Sequence, residues 1–136
     1  MNTKRICSAL GVGLAFVAVL SLLVAPGFVE ARSGNYKVDG GKGDWNWKIW
    51  SHVQAYWDDN RVLLPGSSST STEANGGTGV TYSYIGSEQT KNTAIIYQSI
   101  TGKFTPTVGS SWTIKAYAWH SSPNDSFPFD GGWNYV

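Results

Sequence analysis

The chain has 136 residues, with ten basic and nine acidic side chains and one cysteine. Lys4, Arg5 and Glu30 belong to the first 31 residues, so residues 32–136 carry equal numbers of basic and acidic side chains. A neutral chain without a basic run argues against nucleic acid as the main partner and against electrostatic attachment to anionic lipid.

The first 31 residues are predicted to be a secretory signal peptide. Two basic residues, Lys4 and Arg5, precede an apolar run at 6–24, and a Pro-Gly pair ends that run shortly before Ala31. This order suits signal peptidase, and we expect cleavage after Ala31. The run is also about long enough for a membrane anchor, which is the alternative. The prediction is a secreted, extracellular protein with no stable membrane anchor after cleavage.

Residues 32–136 are enough for a single domain with a modest core. They contain no cysteine, because Cys7 lies in the predicted signal peptide, and therefore no disulfide. All seven tryptophans and all seven tyrosines lie in this part, whereas leucine occurs there only as Leu63 and Leu64. Aromatic and β-branched side chains in place of leucine and alanine favour β-structure.

The stretch 45–57 predicts the first and longest strand. Every second position carries an apolar or small side chain, and the positions between them are mostly polar. This period of two is typical of a strand with one buried face. Because the stretch is longer than a usual strand, we expect a bulge or bend near Trp50.

The later elements follow from turn residues between β-rich runs. Asp58 and Asp59 open a predicted turn, and residues 61–64 are predicted to return as a short strand. Residues 67–72 are either an edge strand or an exposed mobile loop. Further strands are predicted at 80–85, 93–100, 112–119 and 133–136. Short strands with turns between them and no helical segment predict an all-β fold, a small antiparallel β-sandwich or barrel.

The alternation also divides the aromatic residues into two sets. Those that share a face with aliphatic residues are predicted to fill the core; they are Trp45, Trp47, Trp57 and Trp112. The opposite, polar faces carry Trp50, Tyr56, Tyr117 and Trp119, with His52 beside them. These five residues are the candidate ligand-binding surface, and cross-strand stabilising pairs are the alternative. Rings of this type stack on sugars or insert at a membrane interface.

The two histidines, His52 and His120, are the remaining candidates for chemistry. Either could meet Asp58 or Asp125 in a catalytic group, but a chain of this size supplies such trios by chance. We therefore expect structural or solvated histidines and no catalytic residue. The stretch 124–130 offers oxygen ligands beside His120 but matches no calcium-loop spacing. No metal and no cofactor are predicted.

Four short pieces of the chain resemble the lactococcin 972 family of secreted bacteriocins. They are 40–47 (GGKGDWNW), 55–72 (AYWDDNRVLLPGSSSTST), 112–118 (WTIKAYA) and 133–135 (WNY). The resemblance implies a cysteine-poor mature β-sandwich and a non-enzymatic antibacterial polypeptide that acts on cell-wall synthesis outside the target cell. No catalytic residue carries over from it.

The residues alone leave two other functions open. One is a secreted carbohydrate-binding or cell-wall-binding module that uses exposed aromatic side chains. The other is a small secreted hydrolase built on His52 or His120. The expected partner is a cell-wall precursor or a polysaccharide.

Overall fold

In the computed structural model the described residues are 33–122 and 128–136, and they belong to one compact unit, Arg32–Val136. The predicted signal peptide at 1–31 lies outside them. The described residues form strands and turns without a helix, so none of them lies in a helix able to cross a membrane. The strands are β1 (Gly34–Gly43), β2 (Lys48–Trp57), β3 (Ser69–Asn75), β4 (Val80–Lys91), β5 (Ile95–Pro106), β6 (Trp112–Ser121) and β7 (Phe129–Tyr135).

The strands make two antiparallel sheets that pack face to face. Sheet 1 has the order β1-β2-β3 and sheet 2 the order β4-β5-β6-β7, so neighbours in each sheet follow one another in the chain. Strand β2 lies over β5 and β6, and β1 lies over β6 and β7. The predicted all-β antiparallel sandwich is confirmed, since the two sheets remain separate.

Inward side chains of both sheets fill the space between them. Phe104, Ile49 and Ile114 are completely buried, and each buried side chain of this size contributes roughly 1.5–3 kcal/mol. A hydrogen bond also joins the sheets, because Ser51 Oγ donates to the Ala116 carbonyl at 3.0 Å. The buried residues form two clusters: Val38, Val53, Ala55, Trp57, Leu63, Ile96 and Ala118 in one, and Ile49, Ile100, Phe104, Ile114 and Ala116 in the other.

The strand predicted at 45–57 begins later than expected. Strand β2 begins at Lys48, because Asp44 closes a turn in which its N–H donates to the Trp47 carbonyl at 2.8 Å. The predicted bulge near Trp50 is wrong, since β2 pairs in continuous register with both neighbours. The register shift lies instead in β4, between Tyr84 and Gly86.

The secondary structure of several other segments differs from the prediction or settles an alternative. The predicted strand at 61–64 is wrong: this segment makes only an isolated antiparallel bridge between Leu63 and Trp57, and the Leu63 side chain is buried. The edge-strand alternative for 67–72 is confirmed in outline by β3, which begins at Ser69. Strand β1 has no counterpart among the predicted elements, and β4 continues to Lys91, well past the predicted end at residue 85.

The predicted set of core tryptophans is partly correct. Trp57 is buried, and Trp47 and Trp112 pack against the core cluster of Phe104. Trp47 lies 4.7 Å from the Phe104 ring, measured between centroids. Trp45 was expected beside them and is instead 92% exposed, because the Asp44 turn lies outside the alternation of β2.

Candidate functional site

The outer face of sheet 1 carries three of the five residues singled out by the sequence. Strand β2 is the central strand, and its alternation buries Ile49, Ser51 and Val53 against sheet 2. The intervening side chains therefore point away from the core. They are Trp50, His52, Gln54 and Tyr56, of which Tyr56 is exposed and the others half-buried.

Trp50 lies across a glycine of the neighbouring strand. Gly41 of β1 pairs directly with Trp50, and a Cβ added at Gly41 would stand 2.7 Å from Trp50 Cδ2. The Ile49 carbonyl oxygen, at 2.2 Å from that Cβ, and the indole therefore occupy the space that a side chain at position 41 would need. Only glycine permits this arrangement, which lays the ring over β1 and keeps it half-exposed.

His52 is held between two carboxylates. Its Nδ1 lies 2.6 Å from Asp39 Oδ1 on β1, and its Nε2 lies 3.1 Å from Glu73 Oε2 on β3. Carboxylates are acceptors only, so both contacts are hydrogen bonds when the imidazole carries both protons. The Trp50 and His52 rings are nearly parallel, at 8°, with centroids 6.4 Å apart.

Glu73 links the histidine to a lysine. It pairs directly with Trp50 across the sheet, and its Oε1 lies 3.0 Å from Lys48 Nζ. Hydrogen bonds from Lys48 and then from His52 hold the pKa of the Glu73 carboxyl below its ordinary value. Trp50, His52, Asp39, Glu73 and Lys48 together are called the Trp50 platform below.

The platform combines one flat apolar ring with polar groups on several sides. Next along β2, the Gln54 amide donates to Asn35 Oδ1 at 3.0 Å, and Tyr56 follows at the end of the strand. The Lys48 ammonium pairs with the Glu73 carboxylate, and His52 lies within hydrogen-bond distance of both Asp39 and Glu73. Such a surface can stack on the apolar face of a neutral ring compound and hydrogen-bond to its edge.

Tyr117 and Trp119, the other two candidates, lie on the outer face of sheet 2. Ala116, Ala118 and His120 of β6 point inward, so these two aromatic residues point outward and are half-buried. Trp119 pairs with Tyr97 of β5. The structure therefore brings Trp50, His52 and Tyr56 together and places Tyr117 and Trp119 on the opposite side of the sandwich.

His120 lies in the core and lines a cavity. It is 1% exposed, and burial lowers the pKa of its imidazole. Its Nδ1 donates to the Ser121 carbonyl at 2.6 Å. The cavity, of about 320 Å³, is lined by Asn35, Tyr36, Trp57, His120 and Phe129.

The two histidines do not form a shared catalytic group. His52 faces outward on sheet 1 and His120 inward on sheet 2. Asp58 is used in a turn, where its Oδ1 accepts the backbone N–H groups of Asn60 and Val62. Asp125 lies outside the described residues. His52 meets Asp39 and Glu73 instead, which the sequence did not indicate because β1 was not predicted and the register of β3 could not be read.

No set of metal ligands is assembled in the part of the chain that the structure describes. Residues 33–122 and 128–136 hold no group of three or more His, Cys, Asp or Glu side chains suited to an ion. Of the stretch 124–130, Asp130 accepts its neighbour's N–H, from Gly131, at 2.8 Å. Asn124 and Asp125 lie outside the described residues.

Comparison with known proteins gives no relative: no protein-family model, characterised protein or solved structure matches the chain.

Proposed function

We propose that this is a secreted, non-enzymatic antibacterial protein that acts by binding a carbohydrate of the bacterial cell wall or a sugar-bearing cell-wall precursor. The observation that carries the binding part is the indole of Trp50, laid over Gly41 and bordered by the Asp39, His52 and Glu73 network. The secreted part depends on the predicted signal peptide, and the antibacterial part on the resemblance to the lactococcin 972 family.

A sugar ring has the chemistry that the Trp50 platform complements. Its C–H face is apolar and stacks on an indole, whereas the hydroxyl groups at its edge donate to carboxylates and accept from ammonium and imidazole N–H groups. Lys48, Glu73 and His52 hold one another in place, so little side-chain freedom is lost when a ligand binds. A neutral ligand does not disturb the paired charges.

The pieces that resemble the bacteriocin family occupy definite places in the fold. Residues 40–47 form the end of β1 and the turn that follows it, residues 112–118 lie in β6, and residues 133–135 end β7. The first of these pieces contains Gly41, which makes room for Trp50. The first piece thus borders the Trp50 platform, whereas residues 112–118 and 133–135 belong to sheet 2.

The binding part is tested with protein purified from the culture medium and with purified peptidoglycan. We expect Trp50→Ala to weaken binding about tenfold or more, since tenfold corresponds to only ~1.4 kcal/mol of lost stacking. Trp119→Ala is the matched control, because it removes a half-buried tryptophan from the other outer face. Equal losses in both variants, or a loss in Trp119→Ala alone, would remove the Trp50 platform from the proposal.

Gly41→Ala tests the platform without removing the ring. The added Cβ would stand 2.2 Å from the Ile49 carbonyl oxygen and 2.7 Å from Trp50 Cδ2, so the β1 backbone and the indole must both shift. We therefore expect weaker peptidoglycan binding with all platform side chains still present. Circular dichroism of the variant checks that the sheets are retained. Unchanged binding by a folded Gly41→Ala protein would show that the position of the ring does not matter.

Growth inhibition separates the antibacterial function from a plain binding module. We expect the purified protein to inhibit related bacteria in an indicator panel, and Trp50→Ala to lose potency in parallel with its loss of binding. Binding without inhibition would favour the carbohydrate-binding module, which uses the same platform. The absence of both binding and inhibition would refute the proposal.

A further inference from the structure

One end of the sandwich displays the most exposed large apolar side chains of the described residues. Trp45 is 92% exposed, Val108 87%, Val136 75% and Tyr135 63%. Trp45 lies in the β1–β2 turn and Val108 in the β5–β6 turn, and the last two residues end and follow β7. Antiparallel order places all of these points at the same end of the two sheets. These four residues are called the apolar tip below.

The exposure of Trp45 is imposed by a well-bonded turn. Asp44 Oδ1 accepts the N–H of Asn46 at 2.7 Å and that of Trp47 at 3.2 Å, while the Asp44 N–H donates to the Trp47 carbonyl. Trp47 turns inward and packs on Phe104. The turn thus anchors one tryptophan in the core and presents the other to the outside.

The turns at this end support one another. A Cβ on Gly77, in the β3–β4 turn, would stand 2.1 Å from the Asn46 carbonyl oxygen, so the two backbones are in direct contact. Gly79 of the same turn accepts the Thr107 N–H at 2.8 Å, which fixes the segment before Val108. The β3–β4 turn therefore contacts the turn that carries Trp45 and is hydrogen-bonded to the turn that carries Val108.

We propose that the apolar tip docks reversibly into the interface of a lipid bilayer, with Trp45 and Val108 as the inserting side chains. Tryptophan and tyrosine favour this interface, because their rings are apolar and carry one polar group. The turns between the inserting residues contain Gly76, Gly77, Thr78, Gly109, Ser110 and Ser111, which are small enough for lipid headgroups to approach. The apolar tip is spread over two turns and the end of β7, whereas a stable protein interface has a contiguous, closely packed core.

The charges near the tip indicate that its affinity for a bilayer does not depend on the charge of the lipid headgroups. Lys48 is paired with Glu73, and Lys42 Nζ lies 4.3 Å above the Trp133 ring, whereas Lys103 of β5 is exposed. Asp44 adds a negative charge beside Trp45. Without a cationic cluster, electrostatic attraction to anionic lipid contributes little, and insertion of the apolar side chains drives binding. This inference is independent of the Trp50 platform.

The test is flotation of the protein, purified from the culture medium, with vesicles of phosphatidylcholine. We expect binding that is similar when phosphatidylglycerol is added and when salt is raised. Trp45→Ser should weaken binding about tenfold or more, and Val108→Ser several-fold, as expected for the loss of one buried aromatic and one buried aliphatic side chain. Val62→Ser is the matched control, an exposed valine in the β2–β3 turn at the opposite end, and should bind like the parent.

Three results would overturn the proposal. One is the absence of vesicle binding, or binding that Trp45→Ser leaves unchanged. Another is binding that requires phosphatidylglycerol and disappears in high salt. The third is a dimer, seen by analytical ultracentrifugation without lipid, that Trp45→Ser dissociates, because a second copy of the chain would then cover the tip. All three variants change exposed turn side chains, so the fold is retained.

Discussion

The two histidines show how strongly one face of a strand differs from the other. His52 and His120 both lie on inner strands of their sheets, β2 and β6. His52 points outward, is partly exposed and contacts two carboxylates. His120 points inward and packs against aromatic rings, with Trp57 at 5.3 Å and Phe129 at 5.7 Å between centroids. The same residue type serves a solvated ionic network in one sheet and an apolar core in the other.

The largest contrast is expected in stability when each histidine is removed. His120→Ala leaves a space among packed rings and should lower the free energy of unfolding by about 2–4 kcal/mol. His52→Ala removes a partly exposed side chain and its contacts with two carboxylates, and should cost less than about 1 kcal/mol. Urea denaturation of both variants measures the difference. Equal costs would mean that the two environments are energetically alike.

The second contrast concerns pH. Burial lowers the pKa of His120 in the folded state, so the unfolded chain takes up a proton at a higher pH than the folded one. His120 therefore contributes its full stabilisation above its ordinary pKa, and this is lost as the pH falls from there towards the lowered value. We expect the urea midpoint to drop over this range in the parent and to drop less in His120→Phe, which keeps an aromatic ring but cannot titrate. Parallel pH curves would contradict this assignment.

The smallest effects are expected on the outer face, where function rather than stability should respond. His52→Gln replaces two nitrogens on different sides of a ring with one amide nitrogen, so the bridge between Asp39 and Glu73 is weakened while a polar side chain is kept. The unfolding free energy should change by less than about 1 kcal/mol. Peptidoglycan binding should nevertheless weaken several-fold, because Glu73 loses one of its two restraints beside Trp50. Isothermal titration with soluble peptidoglycan fragments measures this change. A folded variant with unchanged affinity would limit the binding surface to the indole.

The faces of β2 were predictable because buried and half-exposed residues alternate regularly from Lys48 to Trp57. The exposure of Trp45 was not predictable, because positions 45 and 47 continue the period of two in the sequence. In the structure both lie in the hydrogen-bonded Asp44 turn, before β2 begins at Lys48. Strand β1 escaped prediction because its inward side includes Val38 and Gly40, which give almost no hydrophobic periodicity. The later half of β4 is polar because an edge strand needs little apolar surface.

The partners of His52 could not be found for a related reason. Asp39 and Glu73 come from strands on either side of β2, and only the pairing register brings them together. No local pattern in a sequence encodes such a register.

The order of the strands also bears on how the chain reaches its native state. Every hydrogen-bonded strand pair joins consecutive segments, so each hairpin can close over a short loop at low entropic cost. Sheet 1 is encoded entirely before Gly76 and sheet 2 entirely after Gly79. The two sheets are thus encoded by separate halves of the chain, and cleavage in this glycine-rich link would leave two fragments, each of which contains all the strands of one sheet.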